Sequence, residues 1–200
     1  MKKHLISYLL ILHSSLFTLH FLTSCGAENE FTSWPCRFIY DNSIHLDQTL
    51  AAAANPVVHG IFCMVTEEST GGTKYLVFQN NQGASSRQIE TAEELRSNLR
   101  LGLNNGIIVG VQNLGDYTFT AYDVQCPNCV RRENNTATPN YRMILDKKGS
   151  GIATCSKCGD KYDLNNKGLL IEGQEGDKGL AQYRNAHTAG PNGVVTVFGE

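Results

Sequence analysis

The sequence predicts a mainly β protein, an antiparallel sandwich or barrel carrying one or two short helices. Three observations lead there. Residues 107–198 contain a succession of short apolar runs separated by turns, the spacing of a small all-β domain. Eight tyrosines and eight phenylalanines with nineteen glycines in 200 residues favour strands and tight turns over a helical bundle. Helix signals are confined to two stretches in the first half of the chain. A content of 41% hydrophobic and 18% charged residues can support a core and excludes wholesale disorder. A formal charge of −2 supplies no electrostatic footprint for nucleic acid or for an anionic membrane.

Residues 1–24 open with Lys2 and Lys3 and continue as an apolar stretch from Leu5 to Leu22, the pattern of a secretory signal. Leu22-Thr23-Ser24-Cys25 resembles a bacterial lipobox. That resemblance implies a diacylglyceryl group on Cys25 and a lipid anchor at the extracytoplasmic face of the inner or outer membrane. An uncleaved membrane helix is the alternative, but His13, His20 and several serines interrupt a stretch that barely meets the ~20 apolar residues of a span. Without the leader the formal charge becomes −4, and three histidines remain: His45, His59 and His187. None has a partner at metal-ligand spacing, so each is expected to be an ordinary surface or core residue.

After a small, polar tether at 25–30, Trp34 to Tyr40 is expected to be an opening strand. His45 to Ala54 reads as a helix, with four alanines favouring it and Asn55-Pro56 stopping it. Val57 to Val65 and Lys74 to Gln79 read as strands joined by a polar hairpin loop from Thr66 to Gly72. Asn80 to Gly83 is a turn. Thr91 to Leu103 carries the clearest helix signal: Thr91 and Glu94 form a capping box, and Leu95, Leu99 and Leu103 recur at four-residue spacing. Strands are then expected at 107–112, 116–123, 141–146, 151–154, 169–172, 180–184 and 194–198. In the second of these, Tyr117, Phe119 and Ala121 alternate with Thr118, Thr120 and Tyr122, as in a half-buried strand.

Two Cys-x-x-Cys pairs, Cys126-Pro127-Asn128-Cys129 and Cys155-Ser156-Lys157-Cys158, are the chemical feature of the chain. A tight Cys-x-x-Cys turn points both sulfurs into one hollow where backbone N–H groups stabilise thiolates. Two facing turns complete a tetrahedron around one ion. A pair of disulfides is the other reading, consistent with an oxidising compartment.

The segment Cys155-Ser156-Lys157-Cys158-Gly159-Asp160-Lys161-Tyr162-Asp163 is similar to the second cluster-binding loop of Rieske iron–sulfur domains. There, Cys-x-x-His-Gly is followed by two residues, an aromatic and Asp or Asn. The lead-in from Gly106 to Val111 and from Tyr117 to Pro127 resembles the same family, as do the strands after Gly168. The resemblance covers about residues 106–198 and implies a Rieske-type fold with a two-knuckle metal-binding subdomain, residues 31–105 being an N-terminal elaboration packed on the 106–200 domain. The departures are chemical: Asn128 stands at the place of the first histidine, Cys158 replaces the second, and both imidazole ligands of the outer iron are missing.

Four thiolates can hold zinc, a single iron or a low-potential [2Fe–2S] cluster. Exported Rieske proteins resemble twin-arginine substrates, whereas this leader has no Arg-Arg pair. A chain that crosses unfolded meets its metal outside, which favours Zn2+ in a structural role with all four positions filled. Arg131, Arg132, Lys147, Lys148, Lys157 and Lys161 around the knuckles are expected to offset the site's charge rather than bind nucleic acid. Cys36 and Cys63 are an even remainder, open to a disulfide or to two buried free thiols. The expectation is a non-enzymatic envelope lipoprotein that binds or scaffolds an unidentified partner; an electron carrier with an iron centre is the alternative. A thiol oxidoreductase would need a βαβ context that the sequence lacks.

Overall fold

The computed structural model describes residues 31–199; the leader, Cys25 and the tether lie outside the described residues. The chain is mainly β, with antiparallel pairing throughout its ladders. Its elements in order are β1 (Arg37–Asp41), α1 (Asn42–His45), α2 (Gln48–Ala54), β2 (Phe62–Thr70), β3 (Thr73–Asn80), β4 (Ser85–Ile89) and α3 (Ala92–Arg96). Then come β5 (Ile107–Val111), β6 (Phe119–Asp123), α4 (Pro127–Glu133), β7 (Met143–Leu145), β8 (Ile152–Cys155) and β9 (Lys161–Asp163). A 3-10 turn (Leu164–Asn166), β10 (Leu169–Glu172), β11 (Gln182–Tyr183), β12 (Asn185–Thr188) and β13 (Val194–Phe198) complete it. They form a six-stranded sheet, β11-β6-β5-β2-β3-β4, a three-stranded sheet, β1-β13-β12, and a four-stranded sheet, β10-β9-β8-β7.

The six-stranded sheet lies between two cores, and strand alternation sorts its residues between them. Cys63, Val65, Ile107, Val109 and Ala121 face the first core with Phe38, Tyr40, Leu50, Phe78, Val195 and Val197. Phe62, Ile108 and Tyr122 face the second with Tyr162, Leu164 and the knuckle cysteines. Both faces are covered, which corrects the expectation that 116–123 is half-buried: from Thr120 to Asp123 every residue is buried, and the exposed Tyr117 takes a left-handed φ of 51° before the strand begins. Strands drawn from before and after residue 105 share this sheet, since β2 pairs with β5. Gly110 lies in that pairing, where a Cβ would meet the Ile61 carbonyl oxygen at 2.3 Å.

Local chemistry redraws several expected elements. The helix expected over 45–54 is two helices: Asp41 caps α1 through Ser43 N–H, Leu46 turns left-handed at φ 53°, and Asp47 caps α2 through Leu50 N–H. The expected seven-residue hairpin loop is a two-residue turn, Gly71-Gly72, with φ of 60° and 82°; Thr66 to Thr70 is exposed or half-exposed strand, which polar residues tolerate. The Thr91 capping box forms in both directions, yet α3 ends at Arg96, because Ser97 bonds back to the Glu94 carbonyl and Asn98 turns left-handed. Leu95 is exposed, while Leu99 packs on the first core and Leu103 on the second, so the three leucines share no face. Among the described residues there are four short helices rather than one or two, and α4 and strands β4, β9 and β12 have no counterpart in the expected elements.

Candidate metal centre

The first knuckle leaves β6 through Val124 and Gln125. Cys126 N–H donates to the Tyr141 carbonyl at 2.8 Å, and Cys126 is the N-cap of α4. Pro127 fills the first helical position, where a missing N–H costs nothing. Cys129 follows in the first turn. This pair is therefore on a helix start, which corrects the expectation of a turn between strands. The second knuckle ends β8 at Cys155 and turns through Cys158 to Gly159, whose φ of 81° and open surroundings suit glycine. Its turn is closed by Cys155 N–H to the Asp160 carbonyl at 2.9 Å and Gly159 N–H to the Cys155 carbonyl at 3.1 Å.

The fold brings Cys126, Cys129, Cys155 and Cys158 together, all four sulfurs lying within 4.8 Å of one another. Cys126–Cys158 and Cys129–Cys155 are each 3.8 Å apart, and each of these edges joins one knuckle to the other. Metal–sulfur bonds of about 2.3 Å give a regular tetrahedron an edge of about 3.8 Å. The group can hold a metal ion. Three of its sulfurs belong to buried residues, and Cys158 is half-exposed.

Backbone donors are aimed at the sulfurs. Lys157 N–H donates to Cys155 Sγ at 3.4 Å and Cys158 N–H adds a second bond; Cys129 N–H donates to Cys126, and Asp160 N–H to Cys158. Cys155 is the preferred thiolate, held down to about 5 by the thiol of Cys126 and by its two backbone donors. That shared proton, and then burial, push Cys126 up; burial lifts Cys129 to about 12 and raises Cys158. Without a cation the cluster holds protons, because adjacent thiolates repel; a bound cation releases them.

A set of polar side chains buttresses the cysteines. Tyr162 hydroxyl contacts Cys126 Sγ at 3.2 Å. Asn128, fully buried, donates to Tyr162 hydroxyl at 2.9 Å, to the Lys178 carbonyl at 3.0 Å and to Asp160 at 3.3 Å, and accepts from Lys178 N–H at 2.9 Å. Asn128 is thus a clamp between the first knuckle and the chain leading to β11. Arg132 pairs with Asp160 at 3.1 Å and Asp177 at 2.6 Å and also donates toward Cys158; Arg131 pairs with Asp177 at 3.1 Å. Lys157 pairs with Glu133, and Lys161 with Glu172 at 2.6 Å. Arg131, Arg132, Lys157 and Lys161 are matched by carboxylates, while Arg132 also donates toward Cys158 and Lys157 lies close enough to feel the charge of Cys129.

The other singled-out residues lie elsewhere. Cys36 and Cys63 are buried in the first core as free thiols, and no disulfide joins them. They face different neighbours: Cys36 accepts from Gly102 N–H, whereas Cys63 is held in β2 between Asn80 and Val109 and accepts from Gln79. Burial pushes Cys36 up to about 12 and Cys63 higher, which makes both inert. His45 pairs with Glu94 at 3.0 Å and stacks on Tyr40, and His59 stacks on Tyr117. The clamp of Asn128 and the Arg132–Asp160–Asp177 group lie outside the sequence reading, because their partners are 28 to 50 positions away.

No family model, curated protein or solved structure matches the chain. Among the described residues, no helix is long and apolar enough to cross a membrane.

Proposed function

We propose that the chain is a cell-envelope lipoprotein, anchored through Cys25, whose tetracysteine centre holds a single zinc-type ion in a structural role on a Rieske-like scaffold. Its activity on this reading is binding or scaffolding at the membrane. The observation that carries the metal assignment is the 4.8 Å limit on all sulfur separations together with the two 3.8 Å cross-knuckle edges. One ion fits that volume with every position filled, leaving none for water activation. A [2Fe–2S] cluster interposes two irons and two sulfides between the cysteine pairs and needs sulfurs on opposite irons further apart.

A single iron is the second reading, because the same tetrahedron suits it and because N–H donors on sulfur tune iron–thiolate potentials. Metal analysis of full-length protein purified from its native envelope separates them. One zinc per chain and no visible absorbance is the expected result. One iron with reversible bleaching supports the electron carrier, and two irons with acid-labile sulfide overturn the mononuclear site.

A further inference from the structure

The described chain enters the fold beside the knuckle. Phe31 bridges Gln182 in parallel, and Thr32 N–H donates to the Gln182 carbonyl at 2.8 Å, so the entry point is bolted to β11. Trp34 packs against both cores. Between this entry segment and α4 lies a cleft of about 280 Å3, lined by Phe31, Trp34, Pro127, Asn128, Arg131 and Lys178 among others. Phe31 is 46% exposed and also borders a neighbouring hollow of about 80 Å3, where the guanidinium of Arg184, outside the cleft itself, lies 4.6 Å over its ring and forms no ion pair among the described residues. Arg131 is half-exposed, with Asp177 as its carboxylate partner.

Reach decides what this face meets. Resting on the anchor reading above, six residue steps separate a lipidated Cys25 from Phe31, and an extended chain of that length spans at most about 20 Å. On that reading the entry segment, and with it α4, stays within about 20 Å of the headgroup layer. Exposed aromatics beside cations are the side chains that partition to that layer, the ring at the acyl boundary and the charge at phosphate. The acidic net charge of the whole chain hides this local patch.

We propose that the cleft between Phe31–Trp34 and α4 is a phospholipid-headgroup surface that lays the metal-bearing end of the protein against the bilayer. Trp34 is the single tryptophan of the sequence and therefore reports the contact. Full-length protein is reconstituted in phosphatidylethanolamine–phosphatidylglycerol vesicles with and without acyl-brominated lipid, and the mass of the Cys25 peptide is measured in parallel. Emission is expected to shift to the blue and fall by about half with brominated lipid, with Arg184→Glu and Phe31→Ala each restoring most of it. A lipidated chain whose Trp34 is unquenched overturns the docking surface and leaves the anchor standing. Quenching without a lipid on Cys25 supports the surface and overturns the anchor; neither lipid nor quenching overturns both.

Discussion

The two cores on either side of the central sheet are built by different means. The first is filled with large apolar side chains, among them Phe38, Tyr40, Leu50, Leu76 and Phe78, all essentially unexposed, and its strands β2 and β3 are nine and eight residues long. The second also buries large side chains, Phe62, Ile108, Tyr122, Tyr162 and Leu164, but adds the four cysteines, and its own sheet is made of strands three or four residues long. The comparison sets long strands around an apolar core against short strands around a core that carries the cysteine cluster, and on the metal-bound reading proposed above the second half draws stability from that cluster.

On the metal-bound reading proposed above, removing the ion is the strongest way to break this contrast. Chelation, or the double change Cys126→Ser and Cys129→Ser, is expected to cost more than about 5 kcal/mol locally. Hydrogen exchange then reads free exchange across α4 and β7 to β10 with continued protection of β2, β3 and β5. A uniform loss over both halves would remove the contrast. Phe78→Ala tests the other side: its ring is buried and packs 5.2 Å from Tyr40, so the cavity should cost about 3–5 kcal/mol. Denaturant unfolding should move to lower midpoint while metal content per folded molecule stays unchanged.

The smallest effect concerns Glu90 at the rim of the first core. It is buried and faces the Glu67 carboxyl, and burial, followed by the charge of Glu67 and a proton shared with it, lifts it to about 7 against the opposing charge of Lys74. The folded state holds this proton more tightly than the unfolded chain does. Stability from this group is therefore full below the ordinary carboxylate range and is lost as pH climbs to about 7. Glu90→Gln should raise Tm at pH 8 by a few degrees, roughly 2–5 °C, and leave it unchanged at pH 4. Equal Tm values at pH 8 would show that the carboxylate is not destabilising.

What was legible in the sequence was local. The Thr91–Glu94 box is a three-residue relation and forms as read. The two Cys-x-x-Cys pairs announce a common site because each brings its sulfurs together within one turn, and the fold does place all four side by side. What was not legible depends on distant partners. β6 looks half-buried until β12 of the three-stranded sheet covers one face and the knuckle core the other. β4, reading Ser85-Ser86-Arg87-Gln88-Ile89, has no apolar signal because it closes an edge, where pairing to β3 rather than burial makes it a strand. Asn128 looked like a vacated ligand position, and only Lys178, fifty positions on, reveals it as a clamp.

Everything from residue 124 to residue 181, the knuckles included, is threaded between β6 and β11, two strands that lie side by side. The chain must surrender the freedom of that long excursion before β11 can dock, and loop-closure entropy grows with its length. An ion gripping Cys126 and Cys129 at one end and Cys155 and Cys158 further along shortens the excursion that remains free. On the metal-bound reading such an ion would act as a splice in the chain's path, shortening the search by which β11 finds β6.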